Sequence, residues 1–246
     1  MATVLRPNID HWQERVDLAA AFRWTARLDM HEGVANHYSV AVDDRHFLIN
    51  PKNRHFSRVR ASELVLCDAL DEATMDRPDA PERTAWALHG ALHRNKPDAR
   101  CVLHVHSKYA TVLACLEDSR LPPIDQNAMR FFDRMAIDTG FDGMGLDDEA
   151  ERVSHAFGDK PILVMGNHGI MVTAPSVALA FDELYYLERA CMVYVTALMT
   201  GQPLRIASDA VARKTMEQWL EQPDQAENHL AELKAILDAE DSDYAR

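Results

Sequence analysis

Strand-like runs alternate with helical segments along most of this chain, and this alternation restricts the fold more than any other feature. Apolar residues at helical spacing predict an amphipathic helix over residues 9–30, and two runs rich in β-branched and aromatic residues, 37–42 and 46–50, predict a β-hairpin. Residues 121–145 are less regular and form a candidate active-site loop. The later segments predicted in the same way are a short helix at 61–64, a strand at 65–68, a loop at 71–81, helices at 82–95, 109–117, 147–157 and 176–200, a strand ending in an HxH motif, and two strands interrupted at 166–169. The pattern predicts an α/β fold in which helices cover a central, largely antiparallel sheet.

Length and composition favour one compact domain, and we divide the chain into residues 1–205 and a helical extension of the same domain, 206–246. The chain has 246 residues and is 47% hydrophobic, with 39 acidic against 26 basic side chains, so its net charge is −13. That charge disfavours binding to nucleic acid and to anionic membranes. We see no signal peptide and no apolar run of membrane-spanning length, so we expect a cytoplasmic protein. The four cysteines have no CxxC spacing, which predicts reduced, buried thiols.

A pair of histidines one residue apart is the most informative motif in the chain. In CVLHVHSKYA, His104 and His106 would share one face of a strand, because successive side chains of a strand alternate. A third histidine, His168, precedes a glycine between two predicted strands. Three neutral imidazoles suit Zn²⁺ with an open coordination position, although Mn²⁺, Co²⁺ and Fe²⁺ remain possible. The alternative is coincidence, since the chain has 12 histidines.

His89 and His93 are the other histidines at ligand spacing. They lie at i and i+4 of the helix predicted at 82–95. They could form a second metal-binding pair, but the interpretation we favour is an ordinary helical stripe with one histidine on the surface.

Six motifs, in order along the chain, resemble the class II aldolase and adducin head-domain family over roughly residues 9–200. The motifs are EGVANHYSV (32–40), FLINP (47–51), LHGALHRNKPDARCVLHVHSKYAT (88–111), LPPIDQNA (121–128), VMGNHGIMV (164–172) and FDELYYLERA (181–190). The resemblance implies that His104, His106 and His168 bind a divalent metal ion, with Zn²⁺ the first choice and Mn²⁺ the second. It also implies a three-layer α/β/α sandwich and a homotetramer with active sites between subunits.

The sequence departs from the family aldolases at the residues that handle protons and phosphate. Those aldolases carry a catalytic Glu four residues before the histidine of the helix motif, and that position is Ala85 here. The two preceding serines that hold phosphate correspond to Arg83 and Thr84, and the Asn that helps bind phosphate corresponds to His37. A sugar-phosphate aldolase is therefore not expected.

Several other residues are candidates for the missing acid–base and binding roles. Glu82 lies about one helical turn before Ala85, so its carboxylate is a candidate catalytic group; the alternative is that it only favours the helix dipole. His37 and Tyr186 are candidate proton donors. The candidate substrate-binding residues are Arg83, Asn36 and Gln126.

An intact three-histidine site with an altered acid–base environment favours a metal-dependent lyase that cleaves a carbon–carbon bond in a small oxygenated acid or carbonyl compound. Decarboxylation is favoured over retro-aldol cleavage, because loss of CO₂ needs mainly an electron sink and a proton donor. The alternative is a non-catalytic module for binding or assembly, as the adducin heads are thought to be. Because those heads generally lack the full ligand set, His104, His106 and His168 favour the enzyme.

Overall fold

A computed structural model describes residues 9–140, 143, 149–222 and 224–246. The strands in this part of the chain form one seven-stranded sheet in the order β3-β2-β1-β4-β7-β6-β5. β5 pairs parallel with β6, and the other five neighbouring pairs are antiparallel. The strands are β1 (His37–Ala41), β2 (His46–Ile49), β3 (Val65–Asp68), β4 (Cys101–Val105), β5 (Met135–Asp138), β6 (Ile162–Met165) and β7 (Gly169–Ala174).

Helices cover both faces of the sheet. On one face the main core includes buried side chains of α1, α3, α6 and α8, and on the other a second core joins α2 and α5 to the sheet. The helices are α1 (Trp12–Arg27), α2 (Arg83–Asn95), α3 (Lys108–Ala114), α4 (Gln126–Arg130), α5 (Glu149–Ala156), α6 (Val177–Met199), α7 (Asp209–Leu220) and α8 (Asp224–Ala239). None of the helices in the described part of the chain has both the length and the apolar character needed to cross a bilayer.

The central strand β4 explains how polar residues come to lie inside the molecule. All five of its residues are buried, and they alternate between the two cores: Leu103 and Val105 belong to the main core, and Val102 to the core under α2 and α5. His104 has the parity of Val102 and therefore lies on the α2 side of the sheet. A strand covered on both faces usually has a continuous apolar sequence, so His104 within β4 is an exception that needs polar partners.

Most predicted elements are confirmed, with ends that differ by a few residues, but two of the predicted loops contain regular structure. The segment 121–145 includes α4 and β5, and the loop 71–81 includes a 3-10 helix, Glu72–Asp76. β5 is a four-residue edge strand without a fully buried residue, so it has little apolar pattern to detect. Residues 147 and 148 of the predicted helix, and Phe141, lie outside the described residues.

The prediction that all four cysteines are buried is wrong at one position. Cys115 is exposed, while Cys67, Cys101 and Cys191 are buried free thiols. Cys115 is the residue that ends α3, where the chain leaves the helix for a surface turn.

Candidate metal centre

Two connections at one end of the sheet bring the three histidines of the predicted metal site together. His104 is the fourth residue of β4, His106 follows the end of that strand, and His168 lies in the turn between β6 and β7. β4 pairs with β7, so this turn lies beside the end of β4. One nitrogen from each ring lies within 4.8 Å of the nitrogens of the other two.

Backbone geometry in the β6–β7 turn makes this approach possible. Asn167 has φ of 59°, a left-handed conformation that Asn tolerates better than most residues. The backbone N–H of Asn167 donates to the carbonyl of Ala114 at 3.0 Å, which ties the turn to α3. A Cβ on Gly169 would lie 2.6 Å from the carbonyl oxygen of Val105 and 2.9 Å from the ring of His106. Only glycine therefore lets β7 start this close to the end of β4.

The hydrogen bonds of His104 and His106 direct one nitrogen of each ring toward the same point. The Nδ1 of His104 lies 3.0 Å from the carbonyl oxygen of Ile170, and the Nδ1 of His106 lies 2.7 Å from a carboxylate oxygen of Glu32. Both acceptors lack a proton to donate, so each Nδ1 carries the proton and, in the neutral ring, each Nε2 has a lone pair that can bind a cation. This is the usual environment of a metal-binding histidine, whose second nitrogen is held by a carbonyl or carboxylate.

The distance between the two Nε2 atoms is a test of whether a metal ion fits. They lie 3.1 Å apart. Two bare lone pairs at that distance repel each other, whereas a shared cation stabilises them. Tetrahedral Zn²⁺ with Zn–N bonds of about 2.0 Å places its nitrogen ligands about 3.3 Å apart. The donor set and the spacing fit a divalent ion.

Burial keeps the imidazoles in the form that binds metal. It lowers the pKa of His168 to about 4 and the pKa of His104 well below the ordinary value, and neighbouring histidines add to both shifts. The two rings are therefore neutral at pH 7, with lone pairs available for coordination.

His37 lies next to this centre, and Glu82 is close enough to His37 for their charges to interact. His37 is opposite His104 in the pairing of β1 with β4, and the centroids of the two rings are 4.9 Å apart. Burial lowers the pKa of His37 to about 3, and the charge of Glu82 opposes that shift. Glu82 caps α2: its carboxylate accepts from the backbone N–H of Ala85 at 2.9 Å and from the hydroxyl of Thr84. Burial disfavours ionisation of Glu82, but these hydrogen bonds outweigh it and lower the pKa.

The candidate substrate-binding residues differ in position. Asn36 is 2% exposed; its Oδ1 accepts from the backbone N–H of Glu32 at 2.6 Å, while its buried Nδ2 has no partner among the described residues. Arg83 is exposed at the start of α2. Gln126 is exposed at the start of α4 and lines a shallow pocket beside α7.

Tyr186, the other candidate proton donor, is not brought to the three histidines within this chain. Its ring packs 4.8 Å from the guanidinium of Arg130 and 5.9 Å from the ring of Trp219. Its hydroxyl is 3.4 Å from the side-chain amide of Gln225. These contacts place Tyr186 among α4, α7 and α8. Part of the candidate active-site loop also lies away from the three histidines. Its residues Leu121 and Met135 line a cavity of about 530 Å³ that none of the three histidines lines.

Sequence reasoning missed two features of the site. The first is Glu32, whose carboxylate binds Nδ1 of His106. Nothing in the sequence indicates this contact, although Glu32 belongs to one of the family motifs. The prediction that one of the two histidines of the helical stripe, His89 and His93, is on the surface is wrong: His89 is fully buried and His93 is partly buried, and both are hydrogen-bonded to Ser39. Their i, i+4 spacing was the available signal, because it places both on one face of α2.

Comparisons with known proteins agree with this arrangement. Residues 16–195 match the model of the Class II Aldolase and Adducin N-terminal domain. The crystal structure of an aldolase II superfamily protein from Pseudomonas syringae superimposes with a TM-score of 0.86 at 30% identity, covering 96% of each chain. A Pseudomonas aeruginosa protein described as an aldolase class 2 protein is 32% identical over 78% of this chain and 74% of its own length.

Two further relatives differ in the activity that their names indicate. Decarboxylase NovR from Streptomyces niveus is 28% identical over 81% of this chain and 75% of its own length. Human beta-adducin is 31% identical over 66% of this chain but only 22% of its own length. The family expected from the motifs is confirmed: the chain belongs to the class II aldolase and adducin family.

Proposed function

We propose that this protein is a metal-dependent lyase that cleaves a carbon–carbon bond in a small oxygenated acid, with decarboxylation favoured over retro-aldol cleavage. The observation that carries the proposal is the pair of Nε2 atoms of His104 and His106, 3.1 Å apart, with both Nδ1 atoms held by acceptors. With His168, they would hold a divalent ion, and Zn²⁺ is our choice for three imidazoles. The relative named as a decarboxylase supports the choice of reaction.

Each neighbouring residue has a role in this proposal. The ion, when bound, acts as a Lewis acid on a carbonyl or enolate oxygen of the substrate. His37 is the acid–base group, because its ring lies next to that of His104, with 4.9 Å between the ring centroids. Asn36 is the proposed hydrogen-bond donor to a substrate oxygen, because its buried Nδ2 has no partner among the described residues. Glu82 contributes negative charge near His37, and Arg83 is an exposed cation at the same end of α2.

The absence of the usual acid favours decarboxylation. Ala85, at the position where family aldolases carry glutamate, is 2% exposed and has no acid–base group. Retro-aldol cleavage requires a base for a substrate hydroxyl, whereas decarboxylation requires stabilisation of a carbanion and then one proton. Tyr186 and Gln126 have a place in this mechanism only if they serve the site of another subunit, which we propose together with a homotetramer.

The first test is the metal content of the purified protein, measured by elemental mass spectrometry. We expect about one ion per chain, lost in His104→Ala and in His168→Ala and kept in His155→Ala, a control that changes an exposed histidine on α5. The metal-loaded protein is then assayed with hydroxy and keto acids for release of CO₂ or an aldehyde. A wild-type protein that neither contains Zn²⁺ or Mn²⁺ nor takes up either ion would overturn the proposal and favour the non-catalytic alternative suggested by beta-adducin.

A further inference from the structure

A chain of buried hydrogen bonds runs from the metal centre along the face of the sheet that α2 covers and ends on α2. The Nδ1 of His37 lies 2.6 Å from the Nε2 of His89, and the Nδ1 of His89 lies 2.5 Å from the hydroxyl of Ser39. That hydroxyl lies 2.7 Å from the Nε2 of His93, whose Nδ1 lies 2.9 Å from the carbonyl oxygen of Ala99. Every link is within hydrogen-bond distance, and His37, Ser39 and His89 are each at most 7% exposed.

The last hydrogen bond, from His93 to Ala99, fixes which atom donates in every other hydrogen bond of this series. The carbonyl of Ala99 can only accept, so Nδ1 of His93 carries a proton. In the neutral ring Nε2 of His93 must then accept, and the Ser39 hydroxyl donates to it. That hydroxyl has one proton, so its oxygen accepts from Nδ1–H of His89.

The same reasoning determines which nitrogen of His37 carries the proton. With its proton on Nδ1, neutral His89 accepts at Nε2, and the donor is the Nδ1–H of His37. Neutral His37 then has no proton on Nε2. Burial lowers the pKa of His89 well below its ordinary value and that of His93 to about 4, which keeps both rings neutral at pH 7.

We propose that Ser39, His89 and His93 are positioning residues that hold His37 in the Nδ1–H tautomer, so that its Nε2 faces the substrate as an acceptor. The chemical consequence rests on the function proposed above. An acceptor beside the metal recognises a group that carries a proton, so the site selects a substrate with a hydroxyl next to its metal-binding oxygen. His37 takes that proton through Nε2 and returns it to the carbanion left by CO₂, and the oxygen that lost the proton takes one from solvent as the product leaves. A keto acid without this hydroxyl leaves the buried acceptor unpaired and is disfavoured.

The arrangement is tested by NMR of the Zn²⁺-loaded protein labelled with ¹⁵N-histidine, because a protonated and an unprotonated ring nitrogen have widely separated chemical shifts. His37→Asn assigns the His37 signals. We expect His37, His89 and His93 to be protonated on Nδ1 and unprotonated on Nε2. A proton on Nε2 of His37 in the wild-type protein would overturn the proposal.

Two variants test whether the chain of hydrogen bonds sets the Nδ1–H tautomer of His37. In His93→Phe, the Ser39 hydroxyl loses its acceptor and becomes able to donate to His89, so the direction reverses and the Nε2–H form of His37 becomes a major species. Ser39→Ala breaks the chain and allows both forms. The matched control is Ser119→Ala, which removes a buried hydroxyl bonded to the carbonyl of Leu116. His37 unchanged in both chain variants would overturn the positioning role.

This outcome is independent of the proposed lyase activity. The tautomers can be measured in protein without any substrate, and the metal content of each variant is measured in parallel. If the metal is absent but the tautomers are as expected, the proposed function fails and the hydrogen-bond chain stands. If an active lyase prefers keto acids that lack the neighbouring hydroxyl over the same keto acids that carry it, the selection of a hydroxyl fails although the function holds.

Discussion

At the scale of single residues, Glu32 sets how well His106 can bind a metal ion. Its carboxylate lies 2.7 Å from Nδ1 of His106 and is 67% exposed, so its removal changes little in the core. We expect Glu32→Ala to weaken Zn²⁺ binding about 10- to 100-fold, because His106 loses the acceptor that orients its ring. The measurement is a competition titration with a chromophoric chelator. Glu117→Ala, another exposed carboxylate, is the control; equal affinities of the two variants would contradict the role of Glu32.

His93 gives a second residue-scale prediction, for the dependence of stability on pH. Its pKa is lowered, mainly by burial, from 6.5 to about 4. Between these values the unfolded chain binds a proton that the folded protein does not, so stability falls as pH falls through this window. One such group accounts for about 2 kcal/mol between pH 7 and pH 5. Urea unfolding at both pH values is expected to show a larger total loss in the wild-type protein, because the pKa values of His37, His89, His104 and His168 are also lowered, and a total loss smaller by about 2 kcal/mol in His93→Phe. An equal loss in the two proteins would contradict a neutral His93.

At the scale of elements, the contact between the end of β4 and the start of β7 holds the ligands in place. A Cβ at position 169 would lie 2.6 Å from the Val105 carbonyl, so the two strands must separate. We expect Gly169→Ala to lower the free energy of unfolding by about 1–3 kcal/mol and to reduce the metal content. In Gly90→Ala on α2, the nearest atom to the new Cβ is 3.4 Å away, at the flexible end of Arg94. This control is expected to keep its metal and its stability. The prediction fails if Gly169→Ala also keeps both.

At the scale of the whole molecule, we propose that residues 206–246 fold as part of the same domain as residues 1–205. α8 contributes to the main core, and Tyr244 is 2% exposed. Asp243 forms ion pairs with Arg23 at 2.7 Å and with Arg60 at 2.6 Å. Deletion of residues 240–246 is expected to lower the free energy of unfolding by at least about 2 kcal/mol, with a single unfolding transition.

Tyr244→Phe is the matched variant for this deletion. It keeps the buried ring and loses only the hydroxyl bond to Asp238, so we expect a smaller loss, about 1 kcal/mol. Both proteins are measured by urea unfolding. A truncated protein as stable as the wild type, or two separate transitions in the full chain, would contradict the single domain.

The sequence by itself determined the family, the helices and strands with strong periodicity, and the three candidate ligands. Their residue types and local spacing carry this information, because strand alternation alone places His104 and His106 on one face. Strand β5 is not predicted because its three half-buried residues and one exposed residue have too little apolar pattern. Only the tertiary structure decided which other residues meet the site. Glu32 and His106 are 74 residues apart, as His37 and His89 are 52 apart, and Tyr186 packs elsewhere. Such contacts depend on strand order and helix packing over long separations, which periodicity within one segment does not specify.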